Sequence, residues 1–144
     1  MFDLTFPYRC QHFIIEELVD PETHRLYGER AWQFFDVVAL YSLDGIREFF
    51  DASVTVNNWI WGGRFTQRGY RGGNTQIGAV RSQHRNGRAF DCDIKGVSAE
   101  DARRQILAHQ DAPRLRFITC LETDVSWLHF DCRNIPDRIL LVKP

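Results

Sequence analysis

Apolar and polar residues alternate with period two in two short stretches of this chain. In AFDCDI (89–94), Phe90, Cys92 and Ile94 fall on one side, and Ala89, Asp91 and Asp93 on the other. In SWLHFDC (126–132), Leu128, Phe130 and Cys132 share one side, and Trp127, His129 and Asp131 the other. Successive strand side chains point to opposite faces. Both stretches therefore predict strands that bury an apolar face and present carboxylate or imidazole on the other. RFITCLE (116–122) predicts a third strand, joined to the second by a short turn at TDV, and RILLVK (138–143) a further one. ASVTVNNWI (52–60) is rich in β-branched residues and also reads as a strand. Ala31, Phe34, Phe35, Val38 and Ala39 recur at helical spacing and predict a helix over about 29–41, continuing or restarting at Asp44. Ser98 as N-cap, with Asp101 three residues on and ARRQILAH following, marks another helix. PETHRLYG (21–28) reads as a turn region. The glycine-rich 61–80 reads as a long irregular connection, of a length more often functional than decorative. This order of elements predicts one α+β domain over 1–144, a mainly antiparallel sheet with flanking helices.

Composition agrees with a folded domain. The 144 residues are 44% hydrophobic and 13% aromatic, which argues against disorder. No apolar run approaches a membrane span, so no membrane partner is expected. The first residues lack the basic patch and unbroken apolar stretch of a signal peptide, which predicts a protein made in a cytoplasm. Four cysteines without a CxxC pair predict reduced thiols.

The net charge of −1 is unevenly spread: residues 1–51 carry ten acids against four Lys/Arg, and residues 52–96 seven Lys/Arg against two acids. The arginine-rich middle (Arg64, Arg68, Arg71, Arg81, Arg85, Arg88) is either a solvated loop surface or a surface for an anionic ligand. Nucleic acid is not expected as a partner. Aromatic interleaving stops at Phe65 and Tyr70, and the whole chain is slightly acidic.

If the two alternating strands are neighbours, Asp91 and His129 converge, and His84 can fold back to join them. Two histidines and one carboxylate form a zinc ligand set that leaves a position for water. The plain alternative is a histidine merely hydrogen-bonded to an aspartate.

GYR (69–71), SQHRNGRAFD (82–91) and WLHFD (127–131) together resemble the motif series of the M15 zinc peptidases and their hedgehog/DD-peptidase relatives. The family pattern S-x-H-x-x-G-x-A-x-D is met at Ser82, His84, Gly87, Ala89 and Asp91, and W-x-H follows at Trp127 and His129. The likeness covers about residues 59–133. It implies a small α+β domain of hedgehog/DD-peptidase type with Zn2+ held by His84, Asp91 and His129. It also implies cleavage of bacterial cell-wall peptides, as a D-alanyl-D-alanine carboxypeptidase, dipeptidase or endolysin-type endopeptidase. The partner would be a peptidoglycan peptide. Small size and the absence of a signal peptide resemble phage-encoded members, which other proteins deliver to the wall.

One position departs from the family. Many members carry the catalytic acid three residues before the last zinc histidine, where this chain has Ser126. Glu122, at the end of the preceding strand, is the first choice for general base, against a reading as an exposed strand-end glutamate. Whether it faces the site depends on hairpin register. Asp131 shares the face of His129 and would act as base or orient a ligand from behind. Asp93 is a weaker candidate, with pairing to an arginine as its alternative, and Asp124 reads as a turn residue. Arg71 matches the family arginine that binds substrate carbonyl or carboxylate, and its alternative is a surface arginine. Arg68 stands where relatives often have serine. Trp127 walls the cleft or simply packs. Cys92 and Cys132 read as core, and His12, His24 and His109 as surface residues. Ser126 also supports a second reading, a non-catalytic zinc module that recognises cell-wall peptide or a protein partner.

Overall fold

Strand pairing in the computed structural model, which describes residues 4–72, 77–79 and 81–144, follows the alternation. Five strands form one sheet: β1 (Val54–Thr55), β2 (Ala89–Ile94), β3 (Cys120–Glu122), β4 (Leu128–Asp131) and β5 (Leu140–Val142). Their order is β1-β2-β4-β3-β5. Three of the ladders are antiparallel, but β5 pairs with β3 in parallel, so the sheet is mixed. The chain leaving β4 passes over β3 and lands on its far edge. One reversal of direction then leaves β5 antiparallel to β4 and parallel to β3.

The apolar sides of β2 and β4 enter a single core. Phe90 and Phe130 are fully buried, and Phe35 stacks on Phe90 with ring centroids 5.7 Å apart. Helices α2 (Val37–Phe50) and α3 (Ala99–Ala108) supply Leu40, Leu43, Ile46, Ala102 and Ile106 to that core. Removing each of the leucine, isoleucine and phenylalanine side chains from water stabilises the fold by roughly 1.5–3 kcal/mol. Cys92 is buried there. Cys132, half-buried, rests its thiol against α2 at Ser42 Oγ (3.6 Å). All four cysteines are free thiols. No helix among the described residues is long and apolar enough to cross a membrane.

Several expected elements differ. Residues Pro21–Tyr27 form a helix, α1, rather than a turn. Asp20 caps it by accepting from the Thr23 amide (2.9 Å) and hydroxyl (2.7 Å), and Pro21 takes the first helical position. The helix expected over 29–41 is instead a 3-10 segment, Gly28–Phe34, followed by α2, whose true start is the Asp36 cap on Val38 N at 3.0 Å. It then runs through Asp44 without a break. The strand expected over 52–60 shrinks to two residues. Side chains beyond it compete for main-chain partners: Asn57 donates to Val19 O and accepts from Arg68 N, and Asn58 accepts from Phe65 N. The helix at Ser98 forms as expected, with the hydroxyl accepting from Asp101 N at 3.1 Å. Of the long connection, residues 73–76 and 80 lie outside the described residues.

Candidate metal centre

The β2–β4–β3 register builds the site. Asp91 is directly opposite His129, and His129 directly opposite Glu122. Cross-strand partners share a face, so these three side chains form one row on the polar side of the sheet. The neighbouring row holds Ala89, Asp131 and Cys120. Arg103 of α3 fixes the β3–β4 turn from beneath. Its buried guanidinium donates to the carbonyls of Glu122, Val125 and Trp127 at 3.2–3.3 Å.

His84 arrives from outside the sheet, on a single 3-10 turn, Gln83–Asn86. Ser82 Oγ accepts from His84 N, and Gly87 ends the turn at φ 66°. A Cβ on Gly87 would collide with the Phe34 carbonyl and Phe35 Cα, so both conformation and space require glycine. Segment 68–71 clamps the other side: Arg68 O accepts from Asp91 N (2.8 Å), and Arg71 N donates to His84 O (3.2 Å). Gly69 there passes so close to Leu18 O that a side chain would not fit. Ser82, Gly87 and Gly69 thus serve to bring three segments together.

Within this frame His84 Nδ1 donates to Gly69 O at 2.9 Å, which leaves Nε2 facing Asp91 Oδ1 at 3.3 Å. His129 Nδ1 lies 2.8 Å from the same Asp91 oxygen, and its Nε2 donates to Asp131 Oδ2 at 2.9 Å. Asp91 Oδ2 accepts from Arg71 Nη2 at 3.3 Å. Ligand atoms from His84, Asp91 and His129 all lie within 4.8 Å of one another, and all three residues are buried. Tetrahedral zinc with bonds of about 2.0–2.1 Å holds its ligand atoms roughly 3.3 Å apart. The spacing and donor types suit a divalent ion. Each imidazole is also held by its other nitrogen on an oxygen acceptor, the usual arrangement behind a metal ligand.

Charge is strongly coupled here. Burial alone would raise Asp91, but hydrogen bonds from His129 and His84 outweigh it and hold the carboxyl well below its usual range. Burial pulls His129 down, yet Asp131 and Asp91 on either side raise it to about 9. Asp131 is likewise lowered, because Arg133 and His129 overcome its burial. Burial lowers Arg71, partly offset by the charges of Asp91 and Glu122.

The row opens into a cleft of about 470 Å³ whose walls include Arg71, Arg81, Gln83, His84, Asp91, Glu122, Trp127, His129 and Arg133. Glu122 therefore faces the site, and its carboxylate has no hydrogen-bond or ion-pair partner among the described residues. Asp131, by contrast, is fully buried behind His129 and held by Arg133 through two bonds of 2.6 and 2.7 Å. Ser126 is exposed and does not line this cleft. Asp93 makes a two-point pair with Arg68 (2.9 and 3.0 Å), and Asp124 occupies a left-handed turn position, φ 62°. His12 and His109 are exposed and His24 is half-buried; His12 and His24 pair with Glu48 and Glu16. Sequence reasoning missed Arg133 as the partner of Asp131. The alternation that joined His129 to Asp131 points to 133 as the next residue on that face. Comparison of the chain with family models, with curated proteins and with solved structures finds no match to any of them.

Proposed function

We propose that this chain is a zinc peptidase that hydrolyses a peptide bond in the stem peptides of the bacterial cell wall. The reading rests on the motifs around Ser82–Asp91 and Trp127–His129, and it would place the α+β domain in the M15 group with a hedgehog/DD-peptidase type of fold. One structural observation carries it: Asp91, His129 and an unpartnered Glu122 stand in a single row across three strands, in an open cleft that His84 also faces.

In this reading His84 Nε2, Asp91 and His129 Nδ1 hold the metal. Bound zinc supplies Lewis acidity, polarising a carbonyl and lowering the pKa of a water toward roughly 7. A Glu122 carboxylate oxygen takes the proton of the attacking water and delivers it to the leaving amine. Arg71 holds a substrate carboxylate or the oxygen on which charge develops. Asp131 does not move the proton; it orients His129 and keeps its Nε2 protonated. Trp127 walls the cleft.

The test is metal content together with product. Purified protein is expected to hold one zinc per chain, lost in His84→Ala, Asp91→Ala and His129→Ala, and to release D-alanine or cut within the stem of purified peptidoglycan fragments, read by mass spectrometry. Failure to take up zinc at these side chains would overturn the reading. Bound zinc with no product from any fragment would favour the second one, a zinc-containing recognition module. The position of Ser126, outside the cleft where relatives carry the acid, is what favours that alternative.

A further inference from the structure

The catalytic cleft is half of a longer groove. A second cleft, also of about 470 Å³, is lined by Arg64, Phe65, Arg68, Asp93 and Ser126. It shares Asp91 and Trp127 with the first, so the two depressions meet at the metal group. Each alone is within the size range of sites for small ligands, about 300–1,000 Å³. A site built only to clip a terminal residue needs one long side and a closed end. Here described walls extend to both sides of the metal group.

Each half also carries one uncompensated cation. Arg68 is neutralised by Asp93, Arg71 faces Asp91, Arg133 is held by Asp131, and Lys143 lies 3.8 Å from Asp124. Arg81 in the first half and Arg64 in the second are exposed and have no hydrogen bond or ion pair among the described residues. Arg64 only rests over the Phe65 ring, 5.4 Å from its centroid. Between the halves, the Trp127 indole N–H has no acceptor among the described residues. An unpaired guanidinium in a walled groove attracts anions, and it matches a carboxylate through two parallel hydrogen bonds.

We infer that the substrate is an extended peptide lying across the metal group, with a carboxylate on each side of the reactive bond, and that it is cut internally rather than at its C terminus. The inference rests on the peptidase reading for the cut, but the two-sided recognition can be measured without it. It also gives the positive charge of segment 52–96 a use: Arg64 reads an acidic group on one side, and Arg81, which follows the connection, reads one on the other.

The experiment uses end-capped, fluorescein-labelled hexapeptides with glutamate at positions two and five, or glutamine at either or both. Anisotropy is measured on the purified protein with and without zinc, and zinc-loaded samples are analysed for product masses. The doubly acidic peptide should bind best, and each change to glutamine should weaken it about 10-fold, the scale of one charge-assisted contact. Arg64→Ala should abolish the preference at one position and Arg81→Ala at the other. Both side chains are exposed, so the variants keep the fold, which circular dichroism checks. The capped peptide should be cut internally. Equal affinity for glutamate and glutamine peptides, in wild type and variants, would overturn the inference. Cleavage confined to uncapped peptides, with loss of a terminal residue, would also overturn it while leaving the peptidase reading intact. Arginine-dependent binding at both ends with no cut of the hexapeptide by zinc-loaded protein would sustain the two-sided recognition and overturn the internal cut, while the peptidase reading itself is decided on peptidoglycan fragments.

Discussion

Two of the buried carboxylates, Asp44 and Asp91, each face three donor groups and differ in what those groups can do. Asp44, within α2, is wholly buried and accepts from Tyr8 Oη at 2.6 Å, Gln11 N at 2.7 Å and His12 N at 3.1 Å. Asp91, within β2, is 7% exposed and faces His129 Nδ1, His84 Nε2 and Arg71 Nη2. The partners of Asp44 are a phenol and two peptide N–H groups, all of which donate to it. Burial and Asp44 together push the Tyr8 phenol well above its ordinary value, so that proton stays in place. Two of the three partners of Asp91 are imidazoles, which can surrender a proton and offer a lone pair to a metal in its stead. Burial of an acid does not mark a functional site. The kind of donor around it, and a cleft in front of it, do.

The sharpest way to break that contrast is to truncate Asp44. Asp44→Ala leaves three donors near residues 8–12 without an acceptor, and hydrogen bonds to a charged group contribute about 1.5–3 kcal/mol each. Stability to urea should fall by at least about 3 kcal/mol, while the zinc content of the folded fraction stays at that of wild type. Loss of zinc at unchanged stability would show that the two acids are not separable in this way.

Inside the candidate metal centre the same contrast recurs between Glu122 and Asp131. One is without a partner among the described residues and faces the cleft; the other is enclosed and tied by three side-chain bonds. If Glu122 moves the proton, Glu122→Gln should keep fold and zinc but lose roughly 100-fold in kcat, the low end for a missing general base. The amide preserves size while removing the basic oxygen. Wild-type kcat in the metal-replete variant would exclude Glu122 from the role.

Much of this site was legible because period-two alternation is a local property. It placed Asp91, Asp93, His129 and Asp131 on one face and Phe90, Cys92, Leu128 and Phe130 on the other before any contact was known. Caps were equally local: Ser98 announced α3. Asp20-Pro21 and Asp36 announce α1 and α2 in the same way, and helical spacing of apolar residues misled only because it ran from a 3-10 segment into the helix without regard to Asp36. What could not be read was pairing at a distance. The facing of Glu122 depended on a register set by the Arg103-braced turn. The parallel placement of β5 depended on how residues 132–139 cross the end of β3, where Arg138 donates to the carbonyls of Gln110, Leu115 and Ile118. Asn57 and Asn58 ended β1 through partners at Val19, Phe65 and Arg68, which no local pattern announces.

The smallest expected effect separates orientation from chemistry at Asp131. Without a metal, His129 is raised to about 9, because its two carboxylates outweigh its burial, against an unfolded value near 6.5. A raised histidine contributes stability that is fully present below about pH 6.5 and is lost as pH climbs through 9. Metal-free protein should therefore lose on the order of a few kcal/mol across that window, read from urea midpoints. Zinc affinity should rise over the same window, because Nδ1 must give up its proton to become a ligand. Asp131→Asn removes one of the two charges that favour the imidazolium, so the fall in stability with pH should flatten. It should also weaken zinc binding about 10- to 100-fold, the scale for losing the partner behind a ligating imidazole, with kcat nearly retained once metal is restored. A metal-replete Asp131→Asn protein with kcat reduced as far as in Glu122→Gln would make Asp131 part of the proton path, and the enclosed carboxylate would then belong with the reactive one.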